Sequence, residues 1–70
     1  MKYREVAKRL RKLGCLEARK GKGSHTLWKN PKTDGSTVIP VWGHKDLPPG
    51  TVRSILRQLG IDREDFGPIK

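Results

Sequence analysis

Between residues 3 and 13 the apolar positions are Tyr3, Val6, Ala7, Leu10 and Leu13, spaced three or four apart and separated mostly by cations. That spacing predicts an amphipathic helix with one buried stripe. Glu5 stands one turn before Arg9, a favourable pairing, and Gly14 follows as a C-terminal stop. From Cys15 to Lys20 the pattern shortens to an alternation, which predicts a short strand. Gly21-Lys22-Gly23-Ser24 is a turn, because glycine accepts the positive φ of tight reversals. Residues 25–29 predict a second strand, and residues 30–35 a loop rich in turn formers. The β-branched run Thr37 to Val41 predicts a third strand, with Pro40 confined to an edge or an end because it has no N–H to donate. A connector over 42–50 closes on Pro48-Pro49-Gly50. Val52, Ile55, Leu56 and Leu59 then restore helical spacing up to Gly60, with Thr51 or a residue just before it as the cap. Asp62 is placed to cap a last short turn through Phe66, with Glu64 and Asp65 near its positive end.

The order α-β-β-β-α predicts an α+β domain spanning residues 1–70, without repeats or low-complexity tracts. Two helices with one stripe each cover one face of a three-stranded antiparallel sheet and leave the other open. Alternation along the second strand sets His25 and Leu27 on one face, Thr26 and Trp28 on the other. Trp28 is the largest apolar group available, so it is expected to face the helices. That turns His25 outwards, amid Arg19, Lys20, Lys22 and Lys29. In the opposite register Leu27 fills the core and His25 is buried as a structural histidine. Cys15, opening a strand beside Gly14, is expected to be a small buried filler.

Composition narrows what such a fold can do. Seventy residues leave no room for an enclosed organic cofactor, so none is expected and any site must be shallow. No apolar run approaches the roughly 20 residues that cross a bilayer. A single cysteine and a charged rather than apolar N-terminal segment suggest a reducing cytoplasm. The net charge is +9 at pH 7, and it is uneven: residues 1–34 carry a balance of +8, residues 35–70 only +1. A one-sided basic surface attracts polyanions and releases their counterions, which favours nucleic acid as the partner. An anionic membrane is the weaker alternative, since the basic helix lacks a strong aromatic-rich apolar face.

RNA carries its own nucleophile, the 2′-hydroxyl. Cleavage needs one proton removed from that oxygen and another supplied to the leaving oxygen, and an imidazole near neutral pH can do either. His25 is therefore the candidate catalytic residue. Lys and Arg nearby would stabilise charge on the phosphorane-like transition state. Gly23 lets the backbone approach a phosphate, and Ser24 can donate a hydrogen bond. The same tripeptide is also an ordinary polar hairpin end. The cations expected to contact RNA are Lys8, Lys12, Arg19, Lys20, Lys22 and Lys29. His44 is either an auxiliary acid–base or phosphate group or an exposed loop side chain. Trp42 either stacks on a base or seals one end of the core. Arg53 and Arg57, one turn apart, either touch phosphate or solvate their face. No ligand pair has the short spacing of a zinc site, so no metal is expected.

Gly23-Ser24-His25 leading into a strand, Thr37-Val38-Ile39-Pro40-Val41 as a later strand, and the closing helix Pro49-Gly50-Thr51-Val52-Arg53-Ser54-Ile55-Leu56-Arg57-Gln58-Leu59-Gly60-Ile61 together resemble the HicA family. These are small mRNA-interferase toxins of bacterial and archaeal toxin–antitoxin pairs. The resemblance spans nearly the whole chain. It implies a fold like that of a double-stranded-RNA-binding domain and metal-independent cleavage of mRNA that arrests translation. It also implies a catalytic role for His25 and a HicB-like antitoxin that covers the same surface. In one respect the chain departs from the pattern: many relatives have a histidine soon after the third strand, where Trp42 stands here, and His44 lies two positions later.

Overall fold

Tyr3–Lys12 forms helix α1, burying Val6, Ala7 and Leu10 on the stripe that the spacing predicts. The structure is a computed structural model and describes residues 1–20 and 23–69. Behind α1 come strands β1 (Leu16–Lys20), β2 (His25–Asn30) and β3 (Gly35–Pro40), helix α2 (Pro49–Leu59) and a single turn α3 (Arg63–Phe66). The order is the predicted α-β-β-β-α with α3 appended. No helix among the described residues is long and apolar enough to cross a membrane.

Both main helices end in the same way. After α1, the Gly14 N–H returns to the Arg11 carbonyl at 3.0 Å and the Cys15 N–H to Leu10 at 2.9 Å. After α2, Gly60 and Ile61 return to Arg57 and Leu56 at 3.2 and 2.9 Å. This pairing satisfies the last carbonyls and needs a left-handed residue, which glycine supplies at φ 93° for Gly14 and 68° for Gly60. The starts are plainer than the sequence suggests. Pro48 occupies the N-cap of α2 with Pro49 at the first helical position, so Thr51 already lies inside the helix and caps nothing. Proline suits that position because its missing N–H would have been unpaired there. Asp62 does occupy the N-cap of α3, but its side chain makes no capping bond.

The strands pair antiparallel in the order β1-β2-β3. Thr26, Trp28 and Asn30 of β2 and Thr37 and Ile39 of β3 are buried against the helices. Each buried polar group there has a partner. Trp28 Nε1 donates to Thr26 Oγ1 at 3.1 Å and to the Tyr3 hydroxyl at 3.3 Å. Thr26 Oγ1 lies 3.2 Å from the Ile39 carbonyl. Asn30 Nδ2 donates to the Leu59 carbonyl at 2.8 Å, and Thr37 Oγ1 lies 2.6 Å from Gln58 Oε1. Polar groups so placed cost little once bonded and much if left unpaired. Around them Val6, Leu10, Cys15, Leu47, Val52, Ile55, Leu56, Leu59 and Phe66 close the core. The connector after β3 is tied in by Leu47, whose N–H meets the Met1 carbonyl at 2.7 Å.

Two outcomes follow for stability. A Cβ at Gly35 would lie 2.5 Å from the Gln58 carbonyl oxygen and 3.1 Å from Leu59 Cα, both backbone atoms. Gly35→Ala is expected to destabilise by about 1–3 kcal/mol in urea denaturation, while Ser36→Ala next to it, on an exposed side chain, stays within about 0.5 kcal/mol. Burial raises the Cys15 thiol above its ordinary pKa, with Lys32 pulling weakly the other way. Less thiolate and no access mean that a thiol reagent at pH 8 should label Cys15 only as fast as the chain opens. Labelling in native buffer should therefore be far slower than in denaturant.

Candidate active site and nucleic-acid interface

The inward set on β2 determines what points out. With Thr26, Trp28 and Asn30 taken by the core, His25, Leu27 and Lys29 face away from the helices, and His25 is exposed. Their cross-strand neighbours share that face: Pro40 opposite His25, Val38 opposite Leu27, Ser36 opposite Lys29. From β1, Leu16 stands opposite Lys29 and Arg19 opposite Leu27.

Arg19 reaches this face through an irregularity. The register between β1 and β2 shifts between Glu17 and Arg19, so Ala18 is an extra residue in β1. Strict alternation from buried Cys15 would have turned Arg19 towards the helices. The bulge re-aims it to the side where His25 lies, as bulges commonly do beside functional sites.

At the end of the sheet, Lys20, Gly23, Ser24, His25, Thr26 and Val41 enclose a hollow of about 220 Å³. It is formed where the β2–β3 ladder ends, with the Val41 N–H bonded to the Ser24 carbonyl. Gly23 takes φ 65° and has open space around the position of a Cβ, so the backbone angle, not crowding, is what requires glycine there. Thr26 and Val41 complete the walls, and neither carried a sequence signal beyond its strand position.

Of the residues singled out from sequence, Lys20, Gly23, Ser24 and His25 come together in this hollow; Arg19, opposite Leu27, shares the open face with His25, and Lys29 lies on that face four residues further along β2, towards the other end of the sheet. Lys22 lies outside the described residues. Lys8 and Lys12 are elsewhere. They line a groove of about 470 Å³ between α1 and α3, with Glu5, Asp65 and Phe66, on the helical side of the sheet. His44 is exposed in the connector and is not among the residues walling the hollow. Its carbonyl accepts a hydrogen bond from Lys2 Nζ, which also meets Asp46 at 3.4 Å. Trp42 follows Val41 directly, is 38% exposed and stays outside the core. Arg53 and Arg57 line a groove of about 750 Å³ between α2 and α3, which has no wall in common with the His25 hollow. Among the described residues no three His, Cys, Asp or Glu side chains converge as metal ligands.

The family follows from comparison with known proteins. The model of the HicA toxin of bacterial toxin–antitoxin systems matches residues 3–61, from the start of α1 to two residues past the end of α2, and the chain belongs to that family. It is similar to the probable mRNA interferase HicA of Pseudomonas fluorescens (strain Pf0-1), with 41% identity over 61 residues, 87% of this chain and 97% of that protein. No solved structure matches the chain.

Thr26, one wall of the hollow, is held in place by its hydroxyl, which receives Trp28 Nε1 and neighbours the Tyr3 hydroxyl at 3.2 Å. Thr26→Val keeps the shape and removes those partners. It is expected to cost about 1–3 kcal/mol in urea denaturation and to alter the near-UV circular dichroism of Trp28.

Proposed function

We propose that this chain is an endoribonuclease toxin that cuts mRNA, with His25 as the acid–base group. The observation that carries the reading is the exposed imidazole in a small hollow shared with Lys20 and Ser24, on the sheet face that also presents Arg19 and Lys29. The net charge of +9 and the likeness to a probable mRNA interferase support RNA as the substrate.

In this mechanism a nitrogen of His25 takes the proton from a ribose 2′-hydroxyl. The 2′-oxygen forms a bond to the adjacent phosphorus, the bond from phosphorus to the 5′-oxygen breaks, and a proton is delivered to that leaving oxygen. The products are a 2′,3′-cyclic phosphate and a 5′-hydroxyl. Lys20 and Arg19 offset the negative charge that grows on the phosphoryl oxygens, Ser24 and the Gly23 backbone hold the phosphate, and Lys29, further along β2, meets a neighbouring phosphate of the strand. The second proton comes from the protonated His25 itself, from water, or from His44 if its loop closes over bound RNA. Since substrate supplies the nucleophile, the reaction as written runs without a metal. Lys8 and Lys12 contact flanking RNA that wraps past the edge of the sheet.

Being a toxin of a paired system, the chain is expected to meet an antitoxin, here a HicB-like protein, in the cytoplasm. The open face offers it apolar contacts on the same side as His25 through Leu16 and Val38, 58% and 53% exposed, with half-buried Leu27 of β2 opposite Val38. A second reading, RNA binding without cleavage, draws on the placement of His44 outside the hollow.

The deciding comparison is wild type against His25→Ala, both incubated with RNA in chelator and both expressed for growth. His25→Ala is expected to cut RNA about 10²–10⁴-fold more slowly, to lose toxicity, and to bind RNA within a few-fold of wild type. Equal cutting by both removes His25 from the chemistry. Binding without any cutting by wild type establishes the second reading instead.

A further inference from the structure

Trp42 differs from the other aromatic residues in its setting. Trp28 and Phe66 are buried, and Tyr3 is packed against the core with its hydroxyl bonded to Trp28 and near Thr26. Trp42 is exposed and follows directly on Val41, a wall of the His25 hollow, without being a wall itself. The core does not use it, so its exposure is not a packing remnant of the fold's interior.

Its surroundings hold the ring ready. The Lys45 N–H donates to the Trp42 carbonyl at 2.9 Å, closing a turn over residues 42–45. Gly43 takes φ 54° in that turn, and nothing lies within 4 Å of where its Cβ would be, so the backbone angle alone demands glycine. The turn folds Lys45 back until its Nζ is 5.0 Å from the centre of the Trp42 ring. The neighbouring carboxylate, Asp46, is engaged with Lys2. Among the described residues Lys45 therefore has the ring, and no carboxylate, as its partner. A cation behind an indole favours a flat, polarisable group on the opposite face and leaves a positive charge within reach of the next phosphate.

We propose that Trp42, backed by Lys45, is a stacking platform for one unpaired nucleobase beside the His25 hollow, and that the substrate is accordingly RNA single-stranded at the cut. This rests on the RNA-cleaving reading above and adds to it a base subsite and a strand requirement. Bases inside a duplex are already stacked and paired, so a ring at the protein surface can take only one that is splayed out. Stacking tolerates any base, which makes the platform a reader of strandedness rather than of sequence.

The test uses a labelled ten-nucleotide single-stranded RNA, 2′-O-methylated throughout so that no nucleophile is available, and a blunt duplex of the same sequence. Binding is followed by anisotropy for the intact strand and for a strand abasic at every position, where no shift of register can restore a stacked base. For wild type, affinity should fall roughly tenfold from the intact to the abasic strand. Trp42→Ala should lose the same factor on the intact strand and bind the intact and abasic strands equally, while Trp42→Phe retains part of both effects. Duplex binding should be the same for wild type and Trp42→Ala. Equal affinity of wild type for the intact and abasic strands, or an equal loss by Trp42→Ala on intact strand, abasic strand and duplex, overturns the proposal. If wild type cuts RNA through His25 and still binds the intact and abasic strands equally, only this inference fails. If wild type binds neither form, the RNA reading falls with it.

Discussion

Every side chain on β2 is committed by where one indole hydrogen goes. Trp28 Nε1 finds Thr26 and Tyr3 beneath the helices, and the buried Asn30 two residues on finds the Leu59 carbonyl at the end of α2. A slip of one residue would expel all three inward groups together and bury His25 and Lys29 in their place. The penalty is not only lost apolar contact but unpaired donors and a buried charge, so the pairing has one acceptable register. The outward direction of His25 is thus a consequence of packing on the far side of the same strand, not of anything that touches the imidazole.

That arrangement leaves a thin protein with two unlike surfaces. The open face of the sheet carries His25, Arg19 and Lys29 around a short apolar stripe, while the helical face carries Lys8 and Lys12 in a groove shared with Glu5 and Asp65. The cations of the N-terminal half are therefore divided between two sides. Those beside His25 have no carboxylate within ion-pair distance among the described residues, whereas Arg9 and Arg11 are tied to Glu5 and Glu17 at 3.2 Å. Exposed pairs of this kind contribute little to stability, but they remove charge from the helical side and leave it on the other.

Much of this was legible in the chain, for identifiable reasons. The stripes of α1 and α2 are long enough to be unambiguous, and a glycine in a left-handed conformation ends each. Trp28 outweighs Leu27 as a core residue, so the face of His25 could be assigned from volume alone. Other features depend on tertiary geometry that periodicity does not encode. The bulge at Ala18 changes where Arg19 points without changing any residue type. Asn30, beside Pro31, has the composition of a turn, yet it is the inward end of the Thr26, Trp28, Asn30 alternation and is buried. Lys8 and Lys12 match the cations of the hairpin in chemistry but sit across the sheet from them, and only the packing of α1 reveals it. The contact between Lys45 and Trp42 required the turn at Gly43.

The position of Pro40 has a wider effect on how this molecule can meet others. Val41 bonds through its N–H to Ser24, so in the alternating antiparallel ladder Pro40 opposite His25 is a pair without mutual hydrogen bonds, and its lacking N–H falls on the free edge of β3. The other border of the sheet is interrupted by the extra residue at Ala18. Neither margin then offers an unbroken row of donors and acceptors near the histidine, and foreign β-structure has no template to extend. Recognition at this end must proceed through side chains laid over the flat of the sheet, where anything that docks also screens the imidazole from solvent.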